Sequence, residues 1–299
     1  MSNIPLKTVN SDKPSSQKVK KVLVYGPGGV GKSASAATSL IGAPEGRRLV
    51  YLMTERNAVT GLEWGLKHHK LEVKEGQIIY VFPREKKKAF SDLDRALDLY
   101  GQQSKKEALK GDSDTSQGKE NYGFLTKIVK TLASFTGIDY VTGEEVKIGN
   151  VGELTEKDIL CVDGLSPIGS EIWNKMVGDK IAISMTDYGP PQRVMYSILA
   201  ELAKLECHVI LFAHAKDEME EYEIGGGRTA TRLKEIRVNT WVGQANYETL
   251  MGLFTDVIYA YKQGVLYRWA GNKQKVYTVS RTIPPKDNLE PNFSLYNFF

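Results

Sequence analysis

Residues 21–33 read KVLVYGPGGVGKS, an apolar run that leads into a glycine-rich turn and then Lys-Ser. The last eight of these residues match the phosphate-binding pattern G-x-x-x-x-G-K-[ST], which requires a strand before it and a helix after it. The glycines of such a loop let backbone N–H groups come close to a phosphate. The sequence therefore predicts a nucleotide-phosphate site, called the phosphate loop below, made by Gly26, Pro27, Gly28, Gly29, Val30, Gly31, Lys32 and Ser33.

Three side chains carry the chemistry expected at this loop. We expect Lys32 to reach the β- and γ-phosphates of ATP as a catalytic cation, and the Ser33 hydroxyl to hold Mg²⁺. Asp163 ends the apolar run Ile-Leu-Cys-Val at residues 159–162. A carboxylate in this position is expected to hold the same Mg²⁺ through water, although an aspartate after a strand can also cap a helix or a turn. The expected bound groups are ATP and Mg²⁺.

The residue after Asp163 is Gly164, so no glutamate stands there to polarise an attacking water. A general base for hydrolysis must then come from another part of the chain. Our candidate is Glu55, which lies just beyond the second predicted strand, where ligands of open α/β sheets bind. The alternative is a solvated loop glutamate beside Arg56.

His214 follows the apolar run at residues 209–213. A polar side chain at the carboxyl end of a strand can form a hydrogen bond with the γ-phosphate or the attacking water and report hydrolysis to the next loop. We therefore assign His214 to the catalytic set. The alternative is an ordinary histidine at the end of a strand.

Composition limits the class of protein. The chain has 299 residues, of which 41% are hydrophobic, and a formal net charge of +4, which suits one large α/β domain or one domain with an insertion. Its two cysteines, Cys161 and Cys207, lie in apolar runs and are expected to be buried, reduced thiols. The polar N-terminus lacks the apolar core of a signal peptide, and no run of about 18 apolar residues is present. We expect a soluble cytoplasmic protein without a membrane partner.

The order of apolar runs predicts the fold class. Short continuous runs at residues 22–25, 48–53 and 77–82 are separated by helical patterns, and the rhythm resumes at residue 159. This pattern indicates an α/β fold with a mainly parallel sheet and helices on both faces. We divide the chain into a flexible arm that could also dock on a neighbouring subunit, a core with an inserted α/β segment, and an aromatic tail, at residues 1–18, 19–290 (insertion at about 84–155) and 291–299.

Residues 216–245 are predicted to form a long polar loop. Its acidic first half is separated from a basic second half by the triple glycine at residues 225–227. The basic half could line the phosphate backbone of DNA and become ordered on binding. The alternative is a solvated loop whose two halves neutralise each other. The candidate nucleic-acid contacts are Arg228, Arg232, Lys234 and Arg237.

Residues 293–299 read FSLYNFF, which is unusually aromatic for a solvated tail. One interpretation is packing against the chain's own core. The other is docking on an adjacent subunit or on a replication or recombination protein.

Together these residues resemble RecA-type P-loop ATPases. The closer resemblance is to the phage-type family of AAA-labelled nucleotide-binding proteins, which includes RecA-like single-strand annealing proteins. It covers about two-thirds of the chain, omits residues 84–155, and rests on the phosphate loop, Glu55, Asp163 before a small residue, Leu-Phe-Ala-His at residues 211–214, and Phe-Thr-Asp-Val-Ile at residues 254–258 with Arg281.

The resemblance implies an ATPase that assembles into a ring or filament with ATP at the subunit interfaces. Arg281 is then a basic finger that reaches the neighbour's ATP, with Lys273 and Lys275 as alternatives, or else a surface arginine. The implied function is ATP-dependent binding of single-stranded DNA in recombination, annealing or replication, in the host cytoplasm if the gene is a phage's. Alternatives are a motor or remodelling factor on protein or duplex DNA, and a nucleotide-gated assembly protein with little turnover. The insertion and the acidic stretch before Gly225 depart from the family pattern.

Overall fold

The computed structural model describes residues 19–54, 58–81, 135–177, 183–224, 228–240 and 251–299. The predictions for the arm at 1–18, for Glu55 and for most of the insertion lie outside these residues. Within them the strands are β1 (Lys21–Gly26), β2 (Arg48–Met53), β3 (Ile78–Val81), β4 (Phe135–Asp139), β5 (Glu145–Gly149), β6 (Asp158–Asp163), β7 (His208–Ile224), β8 (Arg228–Val238), β9 (Asp256–Gln263), β10 (Leu266–Ala270) and β11 (Val279–Ser280).

The helices of the described residues lie between these strands. The α-helices are α1 (Lys32–Ala36), α2 (Ala58–His68), α3 (Leu165–Met176) and α4 (Gly189–Lys204). Short 3₁₀ turns occur at Ala37–Leu40, Val151–Glu153, Met185–Tyr188 and Ser294–Tyr296. The first of these turns continues α1, so the helix after the phosphate loop tightens after a little more than one turn.

The main sheet has the strand order β10-β9-β1-β7-β6-β2-β3-β4-β5. Its six central strands, from β9 to β3, are all parallel, and β10, β4 and β5 add antiparallel edges. The prediction of an α/β fold with a mostly parallel sheet is confirmed. Strand β7 lies between β1 and β6. The carboxyl-terminal part of β7 in this sheet therefore lies between the phosphate loop, which follows β1, and Asp163, which ends β6.

The two faces of the sheet carry separate apolar cores, because successive side chains of a strand point to opposite faces. Val22 and Val24 of β1 pack with residues of α1 and α2. Leu23 and Tyr25 pack on the other face with residues of α3 and α4. All six residues of β1 are buried. Helices therefore cover both faces, as the continuous apolar runs predict.

Part of the predicted insertion belongs to the main sheet. Strands β4 and β5 form a hairpin whose turn contains Gly143 at a φ of 71°. The carboxylate of Asp139 accepts the backbone N–H groups of Val141 and Thr142 at this turn and of Gly76 beside β3. These bonds attach the hairpin to the edge strand, so residues 135–149 extend the core sheet.

The prediction of a polar loop at 216–245 is wrong over its first part. Strand β7 continues to residue 224 and pairs in antiparallel register with β8, from Ala215 opposite Val238 to Ile224 opposite Arg228. The paired segments, residues 215–224 and 228–238, are called the hairpin arm below. The charged residues mislead the sequence prediction because they pair across strands, a source of strand stability that needs no apolar periodicity.

The aromatic tail packs against the chain's own core. Phe293 and Phe298 are almost completely buried, with ring centres 4.8 Å and 6.4 Å from that of Trp269. The backbone N–H of Phe293 donates a 2.9 Å hydrogen bond to the hydroxyl of Thr38, in the 3₁₀ turn that continues α1. The tail therefore packs against the chain's own core, which was the first of its two interpretations. The rings of Phe293 and Phe298 are not exposed for docking.

Both cysteines are buried, and neither forms a disulfide. Burial raises the pKa of the Cys161 thiol well above its ordinary range and that of the Cys207 thiol to about 11, so both stay protonated at neutral pH. Among the described residues, no helix is long and apolar enough to cross a membrane.

Candidate functional site

The phosphate loop joins the carboxyl end of β1 to α1, as predicted. Two of its glycines are required by the geometry. A Cβ at Gly26 would lie 2.0 Å from the carbonyl oxygen of Ala260 in β9, so no side chain fits there. Gly31 has a φ of 81°, and a Cβ there would lie 3.0 Å from the ring of Tyr267. Residues of β9 and β10 therefore leave no room for side chains at these two positions of the loop.

Lys32 folds back over this loop. Its Nζ donates hydrogen bonds to the carbonyl oxygens of Gly26 at 3.0 Å and Pro27 at 2.6 Å, and the residue is only 8% exposed. An ammonium group is thereby held against the backbone of the loop. The arrangement places a positive charge where the sequence pattern expects phosphate oxygens.

Ser33 and Asp163 meet at the mouth of the loop. The Ser33 hydroxyl donates a 2.6 Å hydrogen bond to Oδ2 of Asp163, although the two residues lie 130 positions apart. Both groups offer oxygen ligands, the type that Mg²⁺ prefers. The two residues assigned to the metal by sequence are therefore within one hydrogen bond of each other, and this donor set fits a magnesium ion.

The sequence did not reveal that Tyr51 also contacts Asp163. The Tyr51 hydroxyl donates to the same Oδ2 atom at 2.5 Å, from the neighbouring strand β2. Burial, and next the negative charge of Asp163, raise the pKa of Tyr51 well above its ordinary value. The phenol therefore stays protonated and acts as a permanent donor to the carboxylate.

Thr54 is a second residue that the sequence did not reveal. Its hydroxyl accepts the N–H of Gly164 at 2.8 Å and lies 2.9 Å and 3.0 Å from the carbonyl oxygens of Asp163 and Gly164. Its own N–H donates to the carbonyl of Asp163 at 2.7 Å. Thr54 thus fixes the turn that follows Asp163. Finding it required the pairing of β2 with β6, which sequence patterns do not give.

His214 lies beside the phosphate loop, because β7 pairs with β1 and places His214 opposite Gly26. Its N–H donates to the Ser166 hydroxyl at 3.1 Å, and its carbonyl accepts the N–H of Asn239 at 2.8 Å. Ser166 is buried and donates in turn to the carbonyl of Asn239 at 2.7 Å. Ser166, in the first turn of α3, is therefore hydrogen-bonded to His214 of β7 and to Asn239 directly after β8, at the base of the hairpin arm.

A cleft of about 350 Å³ opens over these groups and is called the loop cleft below. Most of the phosphate loop, Asp163 and His214 line it, together with Trp64 of α2 and Tyr267 of β10. Four of the predicted site residues, Lys32, Ser33, Asp163 and His214, thus converge on one cavity. Its size lies within the range of small-molecule sites.

Arg281 does not belong to this cleft in its own chain. Residue 280 pairs with Asp256 at the amino end of β9, and the Arg281 N–H donates to Oδ1 of Asp256 at 3.0 Å. Asp256 lies opposite Val22 of β1, at the other end of the sheet from the phosphate loop. The Arg281 residue is exposed. A role in a neighbouring subunit stays a prediction.

The two alternative lysines have other contacts. Lys273 holds its Nζ 3.6 Å from the centre of the Tyr261 ring, and Lys275 donates to the carbonyl of Leu233 at 2.6 Å. Glu55 lies outside the described residues, directly after Thr54 in the chain. Its assignment as general base therefore stays a prediction.

The basic candidates on the hairpin arm are partly neutralised. Arg232 forms a 2.6 Å ion pair with Glu220. Arg237 contacts Glu218 at 2.9 Å and Glu235 at 2.6 Å. Lys234 is exposed, and the side chain of Arg228 is outside the described part of the chain. Mutual neutralisation of the two halves, one of the two interpretations of this segment, thus occurs between strands for two of the four cations.

No family model matches the chain, and no curated protein matches it. A similar solved structure is the flagellar accessory protein FlaH from Methanocaldococcus jannaschii, at 11% sequence identity and a TM-score of 0.32. The match covers 86% of this chain and 78% of that one. A TM-score this low does not establish a shared fold, so the function proposed below rests on the site itself.

Proposed function

We propose that the chain binds ATP·Mg²⁺ in the loop cleft and hydrolyses ATP to ADP and phosphate. The observation that carries the proposal is the 2.6 Å hydrogen bond between Ser33 and Asp163, at the mouth of a loop with the sequence GPGGVGKS. A hydroxyl and a carboxylate at this spacing beside a buried lysine are the groups that a nucleoside triphosphate and its metal require.

Each side chain has a distinct part. Lys32 exchanges the carbonyl oxygens of Gly26 and Pro27 for phosphate oxygens, because a bond between two charged groups is stronger than one to a neutral carbonyl. Ser33 and Asp163 are the residues that would hold Mg²⁺. The bound ion neutralises charge on the β- and γ-phosphates. Tyr51 and Thr54 keep Asp163 and the following turn in place for this role.

Hydrolysis needs a general base, and the residue after Asp163 is Gly164, which cannot act as one. We assign the base to Glu55, because Thr54 at the preceding position contacts the Asp163–Gly164 turn. His214 contacts the γ-phosphate or the water from the neighbouring strand. Glu55→Gln keeps the shape of the side chain but removes the base, so ATP should bind with wild-type affinity while turnover falls by about 100-fold or more. Unchanged turnover would remove Glu55 from the mechanism.

Calorimetric titration with ATP and Mg²⁺ tests the binding step. Lys32→Ala should weaken ATP binding by about 100-fold, since it removes charge-assisted bonds to two phosphates. Asp163→Asn should weaken it only when Mg²⁺ is present. Lys67→Ala, an exposed lysine on α2, is the matched control and should bind like wild type. Absence of ATP binding by the wild-type chain would refute the proposal.

The finer function that we propose is a RecA-like one, in which an oligomer of the chain binds single-stranded DNA under the control of ATP. Two observations support it. The hairpin arm begins directly after His214 at the loop cleft, and its Lys234 is exposed. The ion pairs of Arg232 and Arg237 oppose it, because they reduce the positive field of the arm.

The ATPase rate with added single-stranded DNA tests this function. Stimulation by single strands that is lost in Lys234→Ala supports it, whereas no stimulation by any nucleic acid would refute it. Stimulation by duplex DNA or protein favours a motor or remodelling factor, and ATP-dependent assembly without turnover favours a nucleotide-gated assembly protein. Mixing Arg281→Ala with Lys32→Ala subunits tests a finger in trans, because a mixed oligomer can place the intact finger of one variant beside the intact loop of the other, which neither variant alone can do.

A further inference from the structure

A second cleft, of about 410 Å³, adjoins the loop cleft. The two cavities share a wall made by Gly31, Ala34, Trp64 and Tyr267. Since Gly31 and Ala34 flank the lysine and serine of the phosphate loop, the second cleft begins where the phosphate site ends. A ligand held by its phosphates in the first cavity can therefore extend into the second one.

Trp64 is unusual for a large aromatic residue, because it is 47% exposed. Its indole is stacked on the ring of His68, with ring centres 4.6 Å apart and planes 10° apart. The edge of Tyr267 meets it at 5.9 Å and 86°. A large, accessible ring is thus held in one orientation by its neighbours at the boundary between the two cavities.

Tyr267 packs against the phosphate loop. A Cβ at Gly31 would lie 3.0 Å from the Tyr267 ring, so the ring occupies the space that a side chain there would need. The ammonium group of Lys262 lies 5.9 Å from the centre of the same ring. Tyr267 therefore contacts the phosphate loop directly, and with Trp64 it continues the surface of the loop into the second cleft.

We propose that Trp64 and Tyr267 bind the base of the nucleotide whose phosphates occupy the phosphate loop, an inference that rests on the proposed function. A flat, π-electron-rich group attached to phosphates is the ligand that this surface fits. Stacking on an aromatic side chain accepts every base, because every base has a π-face. The side chains that line the second cleft further out, His69, Arg268 and Glu290, provide donors and acceptors for the ribose and the base edge.

This assignment predicts a loss of affinity that depends on the base. Trp64→Ala and Tyr267→Ala should each weaken binding of ATP·Mg²⁺ by about tenfold or more, the usual effect of removing a stacked ring. Binding of inorganic tripolyphosphate with Mg²⁺ should stay within about twofold of wild type, because it has no base. GTP should bind the wild-type chain within about tenfold of ATP, since stacking dominates recognition.

Titrations of ATP and tripolyphosphate against the same variants separate this inference from the proposed function. Tyr222→Ala, an exposed aromatic residue on the hairpin arm, is the matched control and should not change either affinity. If both variants keep wild-type affinity for ATP, the base site is refuted and the phosphate site stands. If the wild-type chain binds neither ligand, both proposals are refuted.

Tryptophan fluorescence provides a second measurement that does not depend on truncating a side chain. ATP should quench or shift the emission of the wild-type chain, whereas tripolyphosphate should not, because only a base reaches the indole. Trp64→Phe keeps a ring for stacking but should abolish the ATP-induced change while retaining most of the affinity. The same change in Trp64→Phe as in wild type would assign the signal to another tryptophan and refute the contact.

Discussion

The phenolic hydroxyl of Tyr51 and the Ser33 hydroxyl donate to the same oxygen of Asp163, Tyr51 from 2.5 Å and Ser33 from 2.6 Å. The Tyr51 contact comes from the adjacent strand β2 and is deeply buried, whereas Ser33 lies at the cleft. One partner can therefore turn toward a ligand while the other keeps the carboxylate in place. Partners of this kind commonly tune the affinity of a metal site.

Tyr51→Phe should weaken the response of the chain to Mg²⁺. Without the hydroxyl, Asp163 loses a donor that fixes its orientation, so the Mg²⁺ concentration for half-maximal ATP binding should rise about tenfold. Calorimetric ATP titrations over a Mg²⁺ series measure this directly, and ATP affinity without the metal should stay unchanged. Tyr140→Phe, next to β4 at the far edge of the sheet, is the control. An unaltered Mg²⁺ requirement would show that Tyr51 only fills space.

Thr54→Val should destabilise the fold, because the substitution keeps the volume but removes the hydroxyl that the N–H of Gly164 and the nearby carbonyl groups contact. Leaving such groups unpaired in a partly buried turn costs about 1–3 kcal/mol. Urea denaturation measures the loss in the free energy of unfolding. Thr54→Ser restores the hydroxyl and should recover most of it. Equal losses in both variants would assign the effect to packing of the methyl group.

Gly65→Ala should also destabilise the fold, through the contact between α2 and α1. A Cβ at Gly65 would lie 2.2 Å from the carbonyl oxygen of Ala34, which is backbone and cannot turn away. Overpacking of this kind costs about 1–3 kcal/mol, and α1 should shift with the phosphate loop attached. Thermal unfolding together with ATP titration tests both effects. Gly189→Ala, where nothing lies within 4 Å of the new Cβ, should be neutral or stabilising.

Acid should destabilise the chain through His208. Burial, and then the positive charges of Arg47 and Lys21, lower the pKa of His208 from 6.5 to about 4, while its Nδ1 accepts the N–H of Lys20. Between these pH values the unfolded chain binds a proton that the folded chain rejects. The stability is therefore complete above pH 6.5 and is lost as the pH falls toward 4.

His208→Asn keeps an acceptor for the Lys20 N–H but does not titrate. Urea denaturation at pH 7 and pH 5 should show a decrease in the free energy of unfolding that is smaller in the variant by about 1–2 kcal/mol. The wild-type chain provides the reference at each pH. Parallel pH profiles for the two proteins would mean that His208 is not the titrating group.

The sequence predicts the central strands well and the hairpin arm poorly, and both outcomes have physical reasons. Strands β1, β2 and β6 are continuous apolar runs, and burial on both faces of a parallel sheet demands such runs. The hairpin arm is mostly exposed or half-buried and carries charged residues that pair across its strands, such as Arg232 with Glu220, so it resembles a polar loop when the residues are read in order. For the tail, the sequence does not distinguish packing on the core from docking on a partner. The burial of Phe293 and Phe298 shows that these two rings pack on the core.

Some residues of the candidate site could be predicted from sequence patterns, whereas others depend on how the strands pair. Lys32, Ser33 and Asp163 occur at recognisable places in a pattern, so their convergence could be expected. Tyr51 and Thr54 could not, because their roles depend on β2 lying beside β6. The position of His214 opposite Gly26 likewise follows from β7 lying between the two strands that carry the pattern.

The two neighbours of β1 are encoded far away from it. Lys20 bonds to His208 across 188 positions, and Lys21 bonds to Thr255 across 234. During synthesis on the ribosome, the strand that carries the phosphate loop therefore emerges long before either partner strand exists. Its six residues, all buried in the fold, stay without partner strands until most of the chain has been translated, because non-local strand pairs form late. A ligand bound at the phosphate loop therefore cannot guide the early steps of folding, because the strands on both sides of β1 are completed only with β7 and β9.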